Sequence, residues 1–144
     1  QFVEERLAPL RSGRSMPELA AEMINGIMGL GGDPEGRKTA IASMAAVPPQ
    51  TYKACVEAIV MFEERANLAR VQVPVLCLAG EFDRQAPAAM MQRMAAKIPG
   101  AKYQMLPGLG HLPNLENQSA FDRAVLDYLA EVLPRGEAKR SAAQ

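Results

Sequence analysis

Between Gln72 and Glu81 the chain reads Val73-Pro74-Val75-Leu76-Cys77-Leu78-Ala79, with no charged residue, and stops at Gly80. The run is far shorter than the roughly 20 residues needed to cross a bilayer, and both of its alternating faces are apolar. A strand of this kind has no side to offer to water. It predicts a parallel strand covered on both faces, which means helices must flank it. The sequence that follows supplies them. Pro87 opens a helix with Met90, Met94, Ala95 and Ile98 on one flank, closed by Pro99-Gly100. Over 101–106, Ala101, Tyr103 and Met105 alternate with Lys102 and Gln104, a period of two with one wetter face that suits an edge strand. A last helix, about 118–133, lines up Phe121, Val125, Tyr128, Leu129 and Val132, and Pro134 ends it. Residues 135–144 are small and polar, which predicts a frayed, flexible tail.

The first 66 residues show only helical periodicity, broken by Gly and Pro. Ser15-Met16-Pro17-Glu18 has the spacing of a capping box, and Leu19, Met23 and Ile27 recur at one-turn intervals behind it. Gly29-Leu30-Gly31-Gly32 ends this helix. Asp33-Pro34-Glu35 starts the next, with Ile41, Met44 and Ala45 on one side, and Pro48-Pro49 stops it. A third helix aligns Tyr52, Val56, Ile59 and Glu63, with Cys55 and Phe62 widening the apolar stripe. Gln1-Phe2-Val3-Glu4-Glu5-Arg6-Leu7 lacks a Met and reads as helix from its first residues, as expected of a chain cut from a longer one. The expected organisation is a helical segment over 1–67, a strand-helix-strand-helix unit with parallel strands over 68–134, and the tail over 135–144.

Charge narrows the function classes. Lys plus Arg and Asp plus Glu number 16 each, so no net field steers nucleic acid or an anionic membrane toward the chain. The N-terminus lacks the basic-then-apolar order of a signal peptide, and a cytoplasmic protein is expected. Cys55 and Cys77 fit reduced, buried thiols better than a disulfide framework. With one histidine and two distant cysteines no metal site is expected, and no cofactor motif is present: Gly29 to Gly32 follows a helix and lacks the Lys-Ser/Thr pair of a phosphate loop. The nine methionines suit a core or an apolar pocket wall.

Chemistry concentrates after the two strands. Gly80-Glu81-Phe82-Asp83 puts a carboxylate in the turn after the first, and Gly108-Leu109-Gly110-His111 puts the single histidine in the turn after the second. Neighbouring parallel strands bring such turns side by side at the sheet edge where open α/β sheets bind ligands. Asp83 would then accept from Nδ1 of His111 and fix its tautomer, leaving Nε2 to take a proton from a nucleophile. The flanking glycines let the backbone turn tightly. Taken singly, an aspartate after a strand is usually a turn former and a histidine beside glycine a surface or capping group. Their joint placement is what raises the catalytic reading. Glu81 is a second candidate to orient the histidine, but its place nearer the strand favours a supporting role. Cys77, in mid-strand, reads as core.

These residues carry a family resemblance. Val-Pro-Val-Leu-Cys-Leu-Ala-Gly-Glu-Phe-Asp, then Ile98-Pro99-Gly100-Ala101, then Gly110-His111-Leu112-Pro113-Asn114-Leu115-Glu116 and an amphipathic terminal helix resemble the C-terminal part of the α/β-hydrolases over about residues 70–133. The resemblance implies a partial α/β-hydrolase fold in which the helical first segment is the cap, Asp83 the triad acid and His111 the triad base. Residues 45–68 are similar to 3-oxoadipate enol-lactonase and related ester hydrolases. The Gly-x-Ser-x-Gly elbow of the family, which needs a strand, a strained turn and a helix, is not found. Gly13-Arg14-Ser15-Met16-Pro17 is the nearest string, no strand precedes it, and Ser15 reads as a helix cap. The function implied is hydrolysis of a small-molecule ester, lactone or similar acyl substrate by a protein whose nucleophile is absent from these residues. Dehalogenases, perhydrolases and lyases share the fold, so the reaction subtype stays open. The alternative is a non-catalytic module that self-associates. In the family a further strand flanks the one at 73–79, so an open edge and a homo-oligomer are expected, with Met23, Ile27, Ile59 and Phe62 buried between chains.

Overall fold

A computed structural model describes residues 1–133; the expected tail at 135–144 and the stop at Pro134 lie outside the described residues. The chain begins with four helices, α1 (Phe2–Arg11), α2 (Met16–Ile27), α3 (Pro34–Ala45) and α4 (Pro49–Met61). Local chemistry accounts for their starts. The Ser15 side chain accepts from the Glu18 N–H while the Glu18 carboxylate accepts from the Ser15 N–H at 2.8 Å, a complete capping box. Asp33 caps α3 by accepting from the Glu35 N–H at 3.0 Å. Helix α4 starts behind Pro48 without a side-chain cap.

Helices α2 and α3 pack on each other as a hairpin around Ile24, Met28 and Ala40, with Ile27, Ile41 and Met44 at the margin. The buried stripe of α2 is Met16, Leu19, Ala20 and Ile24, about one residue out of phase with the expected line, so Met23 and Ile27 end half-buried. Each has partners within the chain: Ile27 joins the hairpin core, and the Tyr52 hydroxyl donates to Met23 Sδ at 3.3 Å. Helix α1 packs chiefly on α4, and its Leu7 is buried. The expected stripe on α4 needs correcting further along. Val56 is buried, but Cys55 is exposed, and Ile59 and Phe62 are 62% and 74% exposed. The helix also stops at Met61, so Glu63 lies beyond it and pairs with Arg65 instead of extending a helical line.

A short 3₁₀ turn, Arg65–Arg70, leads into strand β1 (Leu76–Gly80), then α5 (Ala88–Ala95), β2 (Lys102–Leu106), a one-turn helix α6 (Pro113–Glu116) and α7 (Gln118–Val132). Strand β1 starts three residues later than the apolar run suggests. Val73 is 65% exposed, and Pro74 has no N–H to give a ladder. The two strands pair in parallel, Leu76 opposite Lys102 through Gly80 opposite Leu106. Each face of β1 has its own cover. Cys77 packs with Ala95 and Ile98 of the α5 side, whereas Leu78 packs with Leu106, Leu109, Phe121 and Ala124 on the α7 side. The stripe on α5 is Met91, Met94, Ala95 and Ile98, with Met90 turned outward. Strand β2 is the wetter of the two, and its Lys102 reaches Glu131 of α7 at 2.6 Å. Among the described residues no third strand lies against β1.

Candidate functional site

Parallel pairing continues past the strand ends and so brings the two turns together. The Glu81 N–H donates to Leu106 O at 3.1 Å and the Phe82 N–H to Leu109 O at 2.8 Å. Asp83 then turns back, its Oδ1 accepting from the N–H groups of Gln85 (2.8 Å) and Ala86 (2.9 Å). Its other oxygen, Oδ2, lies 2.9 Å from Nδ1 of His111. The carboxylate is buried at 7% side-chain exposure; the imidazole is 36% exposed. Burial by itself would raise the pKa of Asp83. The hydrogen bonds from Ala86, His111 and Gln85, with the charge of the imidazole, outweigh it and hold the carboxyl below its usual range. Asp83 is therefore an anion at neutral pH, and an anion facing Nδ1 favours the tautomer with its proton there. Among the described residues no hydroxyl or thiol is hydrogen-bonded to Nε2.

The histidine turn is held from several directions. Gly108 has φ +75°, and a Cβ on Gly110 would lie 2.5 Å from Ile27 O and from the Gly29 N, so the turn runs hard against the end of α2. The His111 N–H donates to Ile27 O at 2.9 Å. Glu81 does not touch the imidazole; its Oε2 accepts from the Gly108 N–H at 2.8 Å and braces the turn. Glu116, one turn past the histidine, is a buried carboxylate that accepts from the N–H groups of Gly29 (2.7 Å), Gly110 (2.7 Å) and Leu112 (3.0 Å). Sequence reasoning missed its role. The one available signal was a carboxylate five residues after the histidine in a mostly apolar stretch, Leu112-Pro113-Asn114-Leu115. Beside the acid turn lies a cleft of about 660 Å³ lined by Asn25, Met28, Leu30, Phe82 and Arg84.

The remaining candidates sit elsewhere. Ser15 is bound up in the α2 cap, its hydroxyl donating to Glu18 Oε2 at 2.7 Å. Cys77 is buried in β1, and desolvation raises its thiol pKa. Among the described residues no three His, Cys, Asp or Glu side chains gather as a metal-holding group, and no helix is long and apolar enough to cross a membrane.

The chain is similar to known proteins in sequence and in fold. A family model described as TAP-like protein matches residues 49–138. RutD of Pseudomonas savastanoi pv. phaseolicola, provisionally named a carbamate hydrolase, is 34% identical over 74 residues, which are 51% of this chain and 29% of that protein. A thermophilic esterase from Thermogutta terrifontis superimposes with a TM-score of 0.79 at 26% identity, covering 91% of this chain and 50% of its own. The enol-lactonase from Burkholderia xenovorans gives a TM-score of 0.77 at 25% identity over 88% of this chain and 49% of its own. The chain thus spans about half the length of these solved structures and less than a third of RutD.

Proposed function

Because this chain belongs to the TAP-like family of α/β-hydrolases, we propose that it carries the acid and the base of a nucleophile–His–Asp triad that hydrolyses an ester, lactone or similar acyl substrate. The observation that carries the reading is the 2.9 Å contact between Asp83 Oδ2 and His111 Nδ1. Asp83 holds the ring with Nδ1 protonated, and Nε2 draws the proton from a nucleophile supplied from outside these residues. The nucleophile then attacks the acyl carbon, and the imidazolium returns its proton to the leaving group before water completes the cycle. Helices α1–α4, residues 1–67, act as the cap over the acyl group, and residues 68–133 belong to the catalytic core. The esterase and enol-lactonase neighbours support the substrate class.

Two experiments test this. The chain alone is expected to hydrolyse short p-nitrophenyl esters no faster than its His111→Ala variant, since no hydroxyl is there to activate. Joined to an upstream segment with a strand and a Gly-x-Ser-x-Gly turn, it is expected to turn over such esters, and His111→Ala is expected to lower kcat roughly 10⁴-fold or more. Equal rates for the joined protein with and without the imidazole would overturn the reading.

The open edge of β1 and the exposed Ile59 and Phe62 favour a second reading, a non-catalytic module that self-associates. Self-association is proposed under either reading. Sedimentation at micromolar concentration is expected to show a homo-oligomer, and a concentration-independent monomer with cooperative melting would refute it. The gene upstream of Gln1 separates the two: a strand followed by Gly-x-Ser-x-Gly supports the hydrolase, an in-frame start beside Gln1 the module.

A further inference from the structure

Asp83 and Glu116 are the buried charged side chains among the described residues, and the proposed chemistry uses only the first. Glu116 is 3% exposed and its recorded partners are all backbone. A buried carboxylate is costly unless charge-assisted hydrogen bonds compensate, and three N–H donors do so here. Where those donors come from is the informative point. Gly110 and Leu112 bracket His111 in sequence, and Gly29 belongs to the turn between α2 and α3. One carboxylate thus fixes the backbone on both sides of the imidazole and ties it to the helical hairpin. Two more bonds close the same junction: His111 N–H to Ile27 O, and Asp33 N–H to Glu116 O, each 2.9 Å.

Resting on the Asp83–His111 reading above, we propose that Glu116 is a positioning residue for His111, setting the angle at which Nδ1 meets Asp83 by fixing residues 110–112 against the α2–α3 turn. The direction of a side chain follows from its backbone, and a catalytic pair tolerates only about 10–20° of misalignment. Glutamine at this position keeps the volume but brings an NH₂ group against N–H donors, so at least one of the three amides loses its acceptor.

The chain has a single histidine, so its ¹⁵N-labelled imidazole gives one unambiguous pair of NMR signals. In the full chain the Nδ1–H tautomer is expected to dominate. Glu116→Gln is expected to lower the ratio of Nδ1–H to Nε2–H by about threefold or more, and Glu116→Ala to lower it further. Leu7→Ala, in the buried α1 contact, serves as a destabilised control that leaves the ratio unchanged. Asp83→Asn is the reference variant. If it leaves the tautomer untouched, the acid–base reading fails and this inference with it. If Asp83→Asn shifts the tautomer but Glu116→Gln does not, in samples that melt no lower than Leu7→Ala, Glu116 is only structural and this inference alone is overturned. Should Glu116→Ala fail to fold, Glu116→Gln decides.

Discussion

Helices α2 and α4 have similar lengths and both carry an isoleucine near the C-terminal end, yet they use them differently. Ile24 of α2 is 5% exposed in the hairpin core; Ile59 of α4 is 62% exposed, next to Val60 at 53%, Met61 at 84% and Phe62 at 74%. Helix α2 has α3 on one side and the histidine turn at its end, whereas α4 rests chiefly on α1 and buries Val56. An amphipathic pattern nominates a face, and only a neighbour makes use of it.

That contrast can be broken most directly by truncating the two isoleucines. Ile24→Ala is expected to cost about 2–5 kcal/mol in urea unfolding, the range for a well-packed aliphatic core residue. A cost near zero would place the hairpin outside the core. A smaller effect with a defined pH signature comes from Asp83. Its folded pKa is depressed, so the stability from its charge is present above the unfolded value, near about 3.9, and is lost as pH falls through the folded value. Wild type is therefore expected to lose stability on acidification from about pH 5 downward more steeply than Asp83→Asn, and parallel acid limbs would contradict the carboxylate's role. Asp33→Ala, which removes the α3 cap, is expected to cost about 1 kcal/mol. Ile59→Ala is expected to change unfolding by no more than about 0.5 kcal/mol in dilute solution, as for surface positions. The same variant sharpens the comparison in sedimentation: weakened self-association would show that α4 uses its apolar face between chains.

What the sequence revealed follows the range of the forces involved. Capped helix starts at Ser15 and Asp33 depend on residues two or three apart, and they were legible. So was β1, since a strand covered on both faces needs no phase to be identified. Its first residues were not, because Val73 and Pro74 match the strand in hydropathy, while Val73 lies exposed and Pro74 has no N–H to give a ladder. The α4 stripe was read too long because the helix stops at Met61, short of Glu63, and periodicity says neither where a helix ends nor which neighbour covers its face. Asp83 and His111 could be paired from sequence because each lies in the turn after a strand and the strands adjoin. Glu116 could not be read the same way: its partners are backbone N–H groups, which carry no residue signature, and one of them lies 87 positions away.

That separation bears on the order in which the site is built. The contact between Asp83 and His111 closes 28 residues and lies within the β1–α5–β2 unit, while the Glu116 contact with Gly29 closes 87. Loop closure costs more entropy as the intervening chain lengthens, and contacts distant in sequence form late in a folding chain. Acid and imidazole are thus expected to meet while α2 and α3 are still undocked, with the long-range clasp expected afterwards.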